Sequence, residues 1–143
     1  MARVKLDVPT HKIFATNIPI RITDINYGNH VGNDALVSIV HEARVQWLAH
    51  NNYTELNVAG AALIMADLAV EYKAESFYGD ILNIAISIGE ITKISFEIFY
   101  EITTTREDKK ILIANAKTGM VCFDYETRKV TAIPQGFLKL LIF

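Results

Sequence analysis

The chain has 143 residues, a formal net charge of −2 and 51% hydrophobic residues. This length suits one domain over residues 1–143, and the weak negative charge gives no long-range attraction for nucleic acid or for an acidic membrane. The single cysteine, Cys122, excludes an internal disulfide and a cysteine-based zinc cluster, which fits a reducing compartment. Charged residues interrupt every apolar run before the ~20 residues that a membrane span needs. We therefore expect one cytoplasmic domain with no membrane span and no nucleic-acid partner.

The first predicted elements are a strand and a long helix joined by a polar loop. The segment KIFATNIPIRIT is rich in β-branched residues and predicts a strand that ends near Thr23. Asn33 then offers a side-chain N-cap for the helical pattern DALVSIVHEARVQWLAH. The polar residues of this helix form one i, i+4 stripe: Asp34, Ser38, Glu42 and Gln46. Because apolar residues occupy most of the remaining circumference, most of this helix must be covered.

Four long strand patterns follow the helix. They are ALIMADLAVEYKAE, DILNIAISIGEI, KISFEIFYEITTT and KILIANAKTGMVCFDY, with turns at SFYGD and REDKK and a short terminal helix in IPQGFLKLL. The order predicts an α+β fold in which an antiparallel β-sheet wraps around one long central α-helix. A chain this hydrophobic leaves apolar surface uncovered once its small core is filled. We therefore expect a homodimer or homotetramer.

Residues 24–44, DINYGNHVGNDALVSIVHEAR, resemble the signature of hotdog-fold acyl-CoA thioesterases of the 4-hydroxybenzoyl-CoA thioesterase type. That signature is D-x-x-G-H-V-N-N, followed by an aromatic residue and then by E-A-R on the helix. Laid without gaps it runs here from Asn26 through His30, Val31 and Asn33 to Glu42, Ala43 and Arg44. The resemblance implies a hotdog fold and a hydrolase that cleaves an acyl-CoA or acyl-carrier-protein thioester between two subunits. It implies no metal and no organic cofactor.

The sequence departs from the signature at the residue that normally carries the catalytic carboxylate. That position holds Asn26, and an amide cannot act as nucleophile or general base. Asn29 and Gly32 replace the usual Gly and Asn. Asp24 lies two residues before Asn26, on the same side if the backbone is extended, and is one replacement for the missing carboxylate. The chain resembles a variant subgroup reading D-x-N-Y-G-x-H-x-G-N-D…H-E-A-R, in which the substitution is systematic.

Thioester hydrolysis needs a polarised carbonyl and an activated water or a carboxylate nucleophile. Backbone N–H groups around Asn33 and Asp34, at the positive end of the helix dipole, are the expected donors to the carbonyl oxygen. Glu42 is a second candidate base, if partial burial raises its pKa. The candidate catalytic residues are Asp24, Asn26, His30 and Glu42. The candidate substrate-binding residues are Tyr27, Gly28, Asn33, Asp34, Lys73 and Ser76, with Gly28 expected at positive φ and an apolar floor expected from Met65, Phe96 and Phe99.

Each candidate also has an ordinary structural interpretation. Asp24 suits a capping or turn position, and Asn26 and Asn33 suit a turn and a helix N-cap. A loop histidine such as His30 is commonly structural, while Glu42 fits the solvated face of a helix. The segment with Lys73, Ser76 and Tyr78 also fits a solvated turn.

Two other functions remain open on the sequence. A noncatalytic acyl-thioester binding protein is compatible with an amide at Asn26. A hotdog dehydratase or hydratase pairs a histidine with an acid, but the chain lacks the H-F-P-G-type motif that such enzymes usually carry. Release of a thiol from an acyl thioester separates hydrolysis from both.

Overall fold

The first strand is shorter than predicted. In the computed structural model, which describes residues 2–142, β1 covers Phe14–Pro19 and a 3₁₀ turn follows at Ile22–Asp24. One further hydrogen bond runs from the N–H of Ile20 to the carbonyl of Asp80 at 3.1 Å, and the chain then turns away from β3 instead of continuing as a strand to Thr23.

The remaining elements follow the predicted order. They are α1 (Asn33–His50), β2 (Ala62–Tyr72), β3 (Ile81–Ile91), β4 (Ser95–Arg106), β5 (Lys109–Asp124), β6 (Lys129–Val130) and α2 (Gln135–Leu141). The sheet order is β1-β3-β4-β5-β2, with β6 paired to the end of β5, and every pairing is antiparallel. This confirms the predicted α+β hotdog architecture and adds only the two-residue β6.

The core lies between α1 and the concave face of the sheet. The helix buries Leu36, Ile39, Val40, Ala43, Arg44, Trp47 and Leu48. Phe137 of α2 closes one end of the core against Trp47 and Phe96, with ring centroids 6.1 and 5.5 Å away. Cys122 is fully buried here, as expected of a small apolar residue.

One charged side chain of α1, Arg44, points into this core. Its Nε donates to Glu55 at 3.0 Å, and its Nη1 donates to the Tyr100 hydroxyl at 3.2 Å. The Tyr100 hydroxyl also lies 2.8 Å from the hydroxyl of Thr118. A buried charge is tolerated only when it is paired and hydrogen-bonded, and this network meets both conditions.

Strand β2 forms one edge of the sheet. It pairs with β5 alone among the described residues, and its register shifts between Met65 and Asp67. Met65, Leu68 and Tyr72 are exposed along it. An open edge of this length with apolar side chains is suited to pairing with another chain. No helix within residues 2–142 combines the length and the hydrophobicity needed to cross a bilayer.

Candidate active site

The polar loop between β1 and α1 is held in shape by Asn26. The Oδ1 atom of Asn26 accepts the N–H of Gly28 at 2.9 Å, and the backbone N–H of Asn26 donates to the carbonyl of His30 at 2.9 Å. Asn26 therefore fulfils the turn role that its sequence context allows. The loop is also tied to the segment after β2, since the N–H of Val31 donates to the carbonyl of Ser76 at 2.9 Å.

The positive φ in this loop belongs to Asn29, at 65°, and the expectation of a positive φ at Gly28 is wrong. Asparagine tolerates this conformation better than most residues, because its short side chain hydrogen-bonds locally. Gly28 is needed for space instead. A Cβ placed there would lie 3.2 Å from Nε2 of His30 and 3.3 Å from Oδ1 of Asn26.

Helix α1 begins without a side-chain cap. Gly32 is the N-cap residue and Asn33 is the first helical residue, so the predicted capping role of Asn33 is wrong. The first helical hydrogen bond runs from the N–H of Leu36 to the carbonyl of Gly32 at 3.1 Å. The N–H groups of Asn33, Asp34 and Ala35 have no acceptor within residues 2–142. The positive end of the helix dipole therefore presents unused donors.

Asn33, the first of these three residues, lines a cavity of about 290 Å³, which we call the His30 cavity. Its lining residues are His30, Val31, Asn33, Leu36, Tyr72, Lys73, Ala74, Glu75, Ser76 and Ile113. Four predicted site residues meet here: His30, Asn33, Lys73 and Ser76. The sequence reasoning missed Tyr72 and Glu75, although both lie in the YKAES segment that drew attention to Lys73.

The two predicted carboxylates lie in a different cavity. This Asp24 cavity, of about 410 Å³, lies between β1 and the polar stripe of α1. Its lining residues are Asn17, Ile18, Pro19, Arg21, Asp24, Ser38, Ile39, Glu42 and Gln46. Neither Asp24 nor Glu42 lines the His30 cavity. Within one chain, the candidate bases and the candidate hydrogen-bond donors to the thioester carbonyl therefore lie at different cavities.

Asp24 is bound by Arg21. It is only 4% exposed, and its carboxylate accepts the backbone N–H of Arg21 at 2.8 Å and the Arg21 guanidinium at 3.1 Å. Burial alone raises the pKa of the Asp24 carboxyl, but these hydrogen bonds outweigh it and the pKa lies below its ordinary value. The backbone just before Asn26 forms a 3₁₀ turn. The extended geometry that we expected to place Asp24 on the same side as Asn26 is therefore absent.

Glu42 is exposed on the helix and accepts a hydrogen bond from Gln46 at 2.8 Å. Gln46 in turn accepts from the hydroxyl of Thr16 on β1. The partial burial expected of Glu42 is therefore absent within one chain. Burial of this carboxylate requires a second surface to cover the stripe.

The predicted apolar floor is not a single surface. Phe96 is fully buried in the core, whereas Phe99 lies three residues along the same strand and faces the opposite side of the sheet. Met65 lies on the open edge. Tyr27 is fully exposed at the tip of the polar loop, so within one chain it contacts neither cavity.

Several solved structures share this fold. A 1,4-dihydroxy-2-naphthoyl-CoA thioesterase from Synechocystis is 24% identical, with a TM-score of 0.79 over 90% of this chain and 94% of its own. A thioesterase-superfamily protein from Jannaschia is 15% identical, with a TM-score of 0.82 over 94% of this chain and 84% of its own.

Sequence comparison also finds related proteins. A protein of Aquifex aeolicus that is provisionally named an esterase is 26% identical over 102 residues, covering 70% of this chain and 75% of its own. The model of the thioesterase-like superfamily matches residues 20–141, which include the polar loop, α1 and the whole sheet after β1. The chain therefore belongs to the thioesterase-like superfamily.

Proposed function

We propose that this protein hydrolyses acyl-CoA thioesters to a free acid and a thiol at the His30 cavity. The observation that carries the proposal is the uncapped start of α1, whose first residue, Asn33, lines this cavity in a member of the thioesterase-like superfamily. Several fold relatives are thioesterases by name, which supports the reaction class.

The start of α1 supplies electrophilic assistance. The thioester carbonyl oxygen accepts hydrogen bonds from the N–H groups of Asn33 and Asp34, where the helix dipole stabilises its developing negative charge. Each well-placed donor of this kind is typically worth a factor of roughly 10² to 10³ in rate. The amide of Asn26 and the imidazole of His30 orient the attacking water, and the backbone at Tyr27 and Gly28 fixes the loop beside it.

The active enzyme in this proposal is a homodimer or a homotetramer built from such dimers. The carboxylate of Asp24 or Glu42 accepts the proton of the water, and both lie outside the His30 cavity of their own chain. A second copy that joins its Asp24 cavity to the His30 cavity of the first completes the site. The exposed polar stripe of α1, which borders the Asp24 cavity, supports such pairing.

Glu75 is the competing base within one chain. It is the one carboxylate that lines the His30 cavity, and it needs no second copy to reach a substrate there. It is exposed and lies in the loop after β2, so no element holds its carboxylate in one direction. Asp24, which two groups of Arg21 fix in place, is the better-positioned candidate.

A noncatalytic acyl-thioester binding protein is the second candidate function, because Asn26 stands where the family signature carries a carboxylate. One experiment tests both hydrolysis and this binding function. A panel of aromatic and aliphatic acyl-CoA compounds is incubated with the protein and a thiol-trapping dye. Cys122 does not interfere, because burial raises the pKa of its thiol to about 11.

We expect release of one thiol per thioester cleaved, with a preference among acyl groups. The variant Asn26→Leu, which removes the side chain that holds the loop in shape, should slow the reaction. Binding of acyl-CoA without any thiol release across the panel would exclude hydrolysis and establish the binding function instead.

A further inference from the structure

Arg106, the last residue of β4, binds the segment 75–80 between β2 and β3. Its Nε donates to Oδ1 of Asp80 at 3.2 Å, and its Nη2 donates to Oδ2 of the same carboxylate at 2.6 Å. The Nη2 atom also donates to the backbone carbonyl of Glu75 at 2.8 Å. The guanidinium carbon lies 4.9 Å from the centroid of the Phe77 ring. One side chain therefore contacts the first, third and last residues of this segment.

The segment 75–80 is also closed on itself by Asp80. Its Oδ2 atom accepts the N–H of Phe77 at 2.9 Å, and its backbone N–H donates to the carbonyl of Phe77 at 3.0 Å. The hydrogen bond from Arg106 holds the pKa of the Asp80 carboxyl below its ordinary value, so the carboxylate is ionised at neutral pH. The side chains of Arg106 and Asp80 are only 28% and 12% exposed, so salt screens this pair less than a surface ion pair.

One end of the segment holds the polar loop of the candidate active site. The carbonyl of Ser76 accepts the N–H of Val31, which follows His30 in the chain, at 2.9 Å. Ser76 is buried, and together with Glu75 it lines the His30 cavity. The position of His30 therefore depends on the position of this segment.

The other end of the segment holds the end of β1. The carbonyl of Asp80 accepts the N–H of Ile20 at 3.1 Å. Ile20 directly precedes Arg21, whose guanidinium and backbone N–H bind the carboxylate of Asp24. The segment 75–80 therefore supports one wall of each cavity, although it lies beside only one of them.

We propose that Arg106 is a positioning residue for the thioester site, because it holds the segment 75–80 that keeps His30 and Asp24 in place on the sheet. The inference rests on the proposed function. Arg106 lines neither the His30 cavity nor the Asp24 cavity, so it acts through the segment and not on the substrate. A displacement of about 1 Å at reacting groups can cost roughly 10²-fold in rate. The planar guanidinium reaches a carboxylate and a carbonyl together, which a lysine ammonium does less well.

The test compares Arg106→Gln and Arg106→Lys with a matched control, Arg128→Gln, which removes an exposed arginine just before β6. Each protein is assayed with the best acyl-CoA. We expect Arg106→Gln to lower kcat roughly 10-fold and to leave KM within about twofold of the parent value, because the residues that contact the substrate are all retained. Arg106→Lys should recover part of the loss, since it restores the charge without the planar group. The control should keep both constants.

Hydrogen exchange follows the polar loop directly. The amide of Val31 should exchange roughly 10-fold faster in Arg106→Gln, because the segment that carries its acceptor, the carbonyl of Ser76, is no longer held. Amides in the middle of β4 should exchange at parent rates. This readout does not depend on turnover.

The double variant Arg106→Gln/Asp80→Asn separates positioning from stability. Arg106→Gln leaves the mostly buried Asp80 carboxylate without its partner, which lowers stability. The double variant removes that unpaired charge, so its midpoint in urea should return toward the parent value. Its kcat should stay low, because no guanidinium binds the carbonyl of Glu75.

Three results would overturn the inference: parent kcat in Arg106→Gln, a kcat that recovers together with stability in the double variant, or a loss of kcat without faster exchange at Val31. The same measurements distinguish its failure from that of the proposed function. Faster exchange at Val31 in Arg106→Gln, with no turnover of any thioester by the parent protein, would refute the proposed hydrolysis and leave the holding of the loop by Arg106 standing. Turnover by the parent, with unchanged kcat and exchange in Arg106→Gln, would do the reverse.

Discussion

Two cavities flank the beginning of α1, and they differ in chemistry. The His30 cavity collects hydrogen-bond donors and a cation, Lys73, which suit a carbonyl oxygen and an anionic substrate. The Asp24 cavity collects two carboxylates, Asp24 and Glu42, with Arg21. A thioesterase needs both kinds of group at one carbon atom. In the proposed mechanism, one chain therefore holds two incomplete halves of a site, unless Glu75 replaces the distant carboxylates.

The largest expected effect comes from removing the base. Asp24→Asn and Glu42→Gln each conserve shape and remove an ionisable oxygen, so loss of the working base should lower kcat by about 10² or more. Glu75→Gln should cost less than about fivefold, since its carboxylate is not held in position. Steady-state kinetics with the best acyl-CoA measures this, and Glu126→Gln, at an exposed turn, is the control. A loss confined to Glu75→Gln would place the whole site in one chain.

The shared-site hypothesis predicts complementation. Asn26→Leu damages the His30 half of the proposed site, and Asp24→Asn damages the Asp24 half. A dimer with one subunit of each variant therefore has one site in which both halves are intact. Equal mixing after unfolding and refolding should restore about a quarter of parent activity if subunits pair at random. Each variant refolded alone is the control. No recovery in mixtures shown by sedimentation to contain dimers would mean that both halves come from the same subunit.

The strand order and the helix were predictable because their periodicity is long and uninterrupted. Positions 95–102, for example, alternate between partly buried and fully buried side chains. The polar loop was harder, because local propensity does not distinguish Gly28 from Asn29 as the positive-φ residue. The separation of Asp24 from His30 was not predictable at all. It depends on the 3₁₀ turn that follows Pro19, and tertiary packing decides on which side of α1 each side chain lies.

A smaller effect is expected at the polar loop. A side chain at residue 28 would press on both His30 and Asn26, so Gly28→Ala should lower kcat roughly 3- to 10-fold by displacing these groups. Thermal unfolding should change little, because the loop is exposed there. The control is Gly136→Ala, whose Cβ meets Ala59 at an ordinary 3.4 Å. Parent activity in Gly28→Ala would show that the exact placement of His30 and Asn26 is unimportant.

The smallest effect concerns stability on the Asp24 side. Because the pKa of Asp24 is lowered in the fold, its ionised carboxylate stabilises the protein above its ordinary pKa, and this contribution is lost as pH falls through the folded value. Asp24→Asn should therefore lower the free energy of unfolding by about 1 kcal/mol at pH 7. The difference from the parent should narrow in acid. Urea titrations of both proteins at pH 7 and at acidic pH measure this difference, with Asp7→Asn as the control variant. A difference that does not change with pH would contradict the role of the Asp24 charge.

The Arg44 network has a consequence for how the helix is oriented about its own axis. An apolar helix against an apolar sheet gains similar burial over a range of rotations, so hydrophobic packing alone defines its angle poorly. The guanidinium of Arg44 reaches both Glu55 and Tyr100 only over a narrow range of rotation. At 100° per residue Glu42 lies about 160° around the helix from Arg44. A buried charge on one side of α1 therefore fixes the direction in which the opposite, polar side with Glu42 faces.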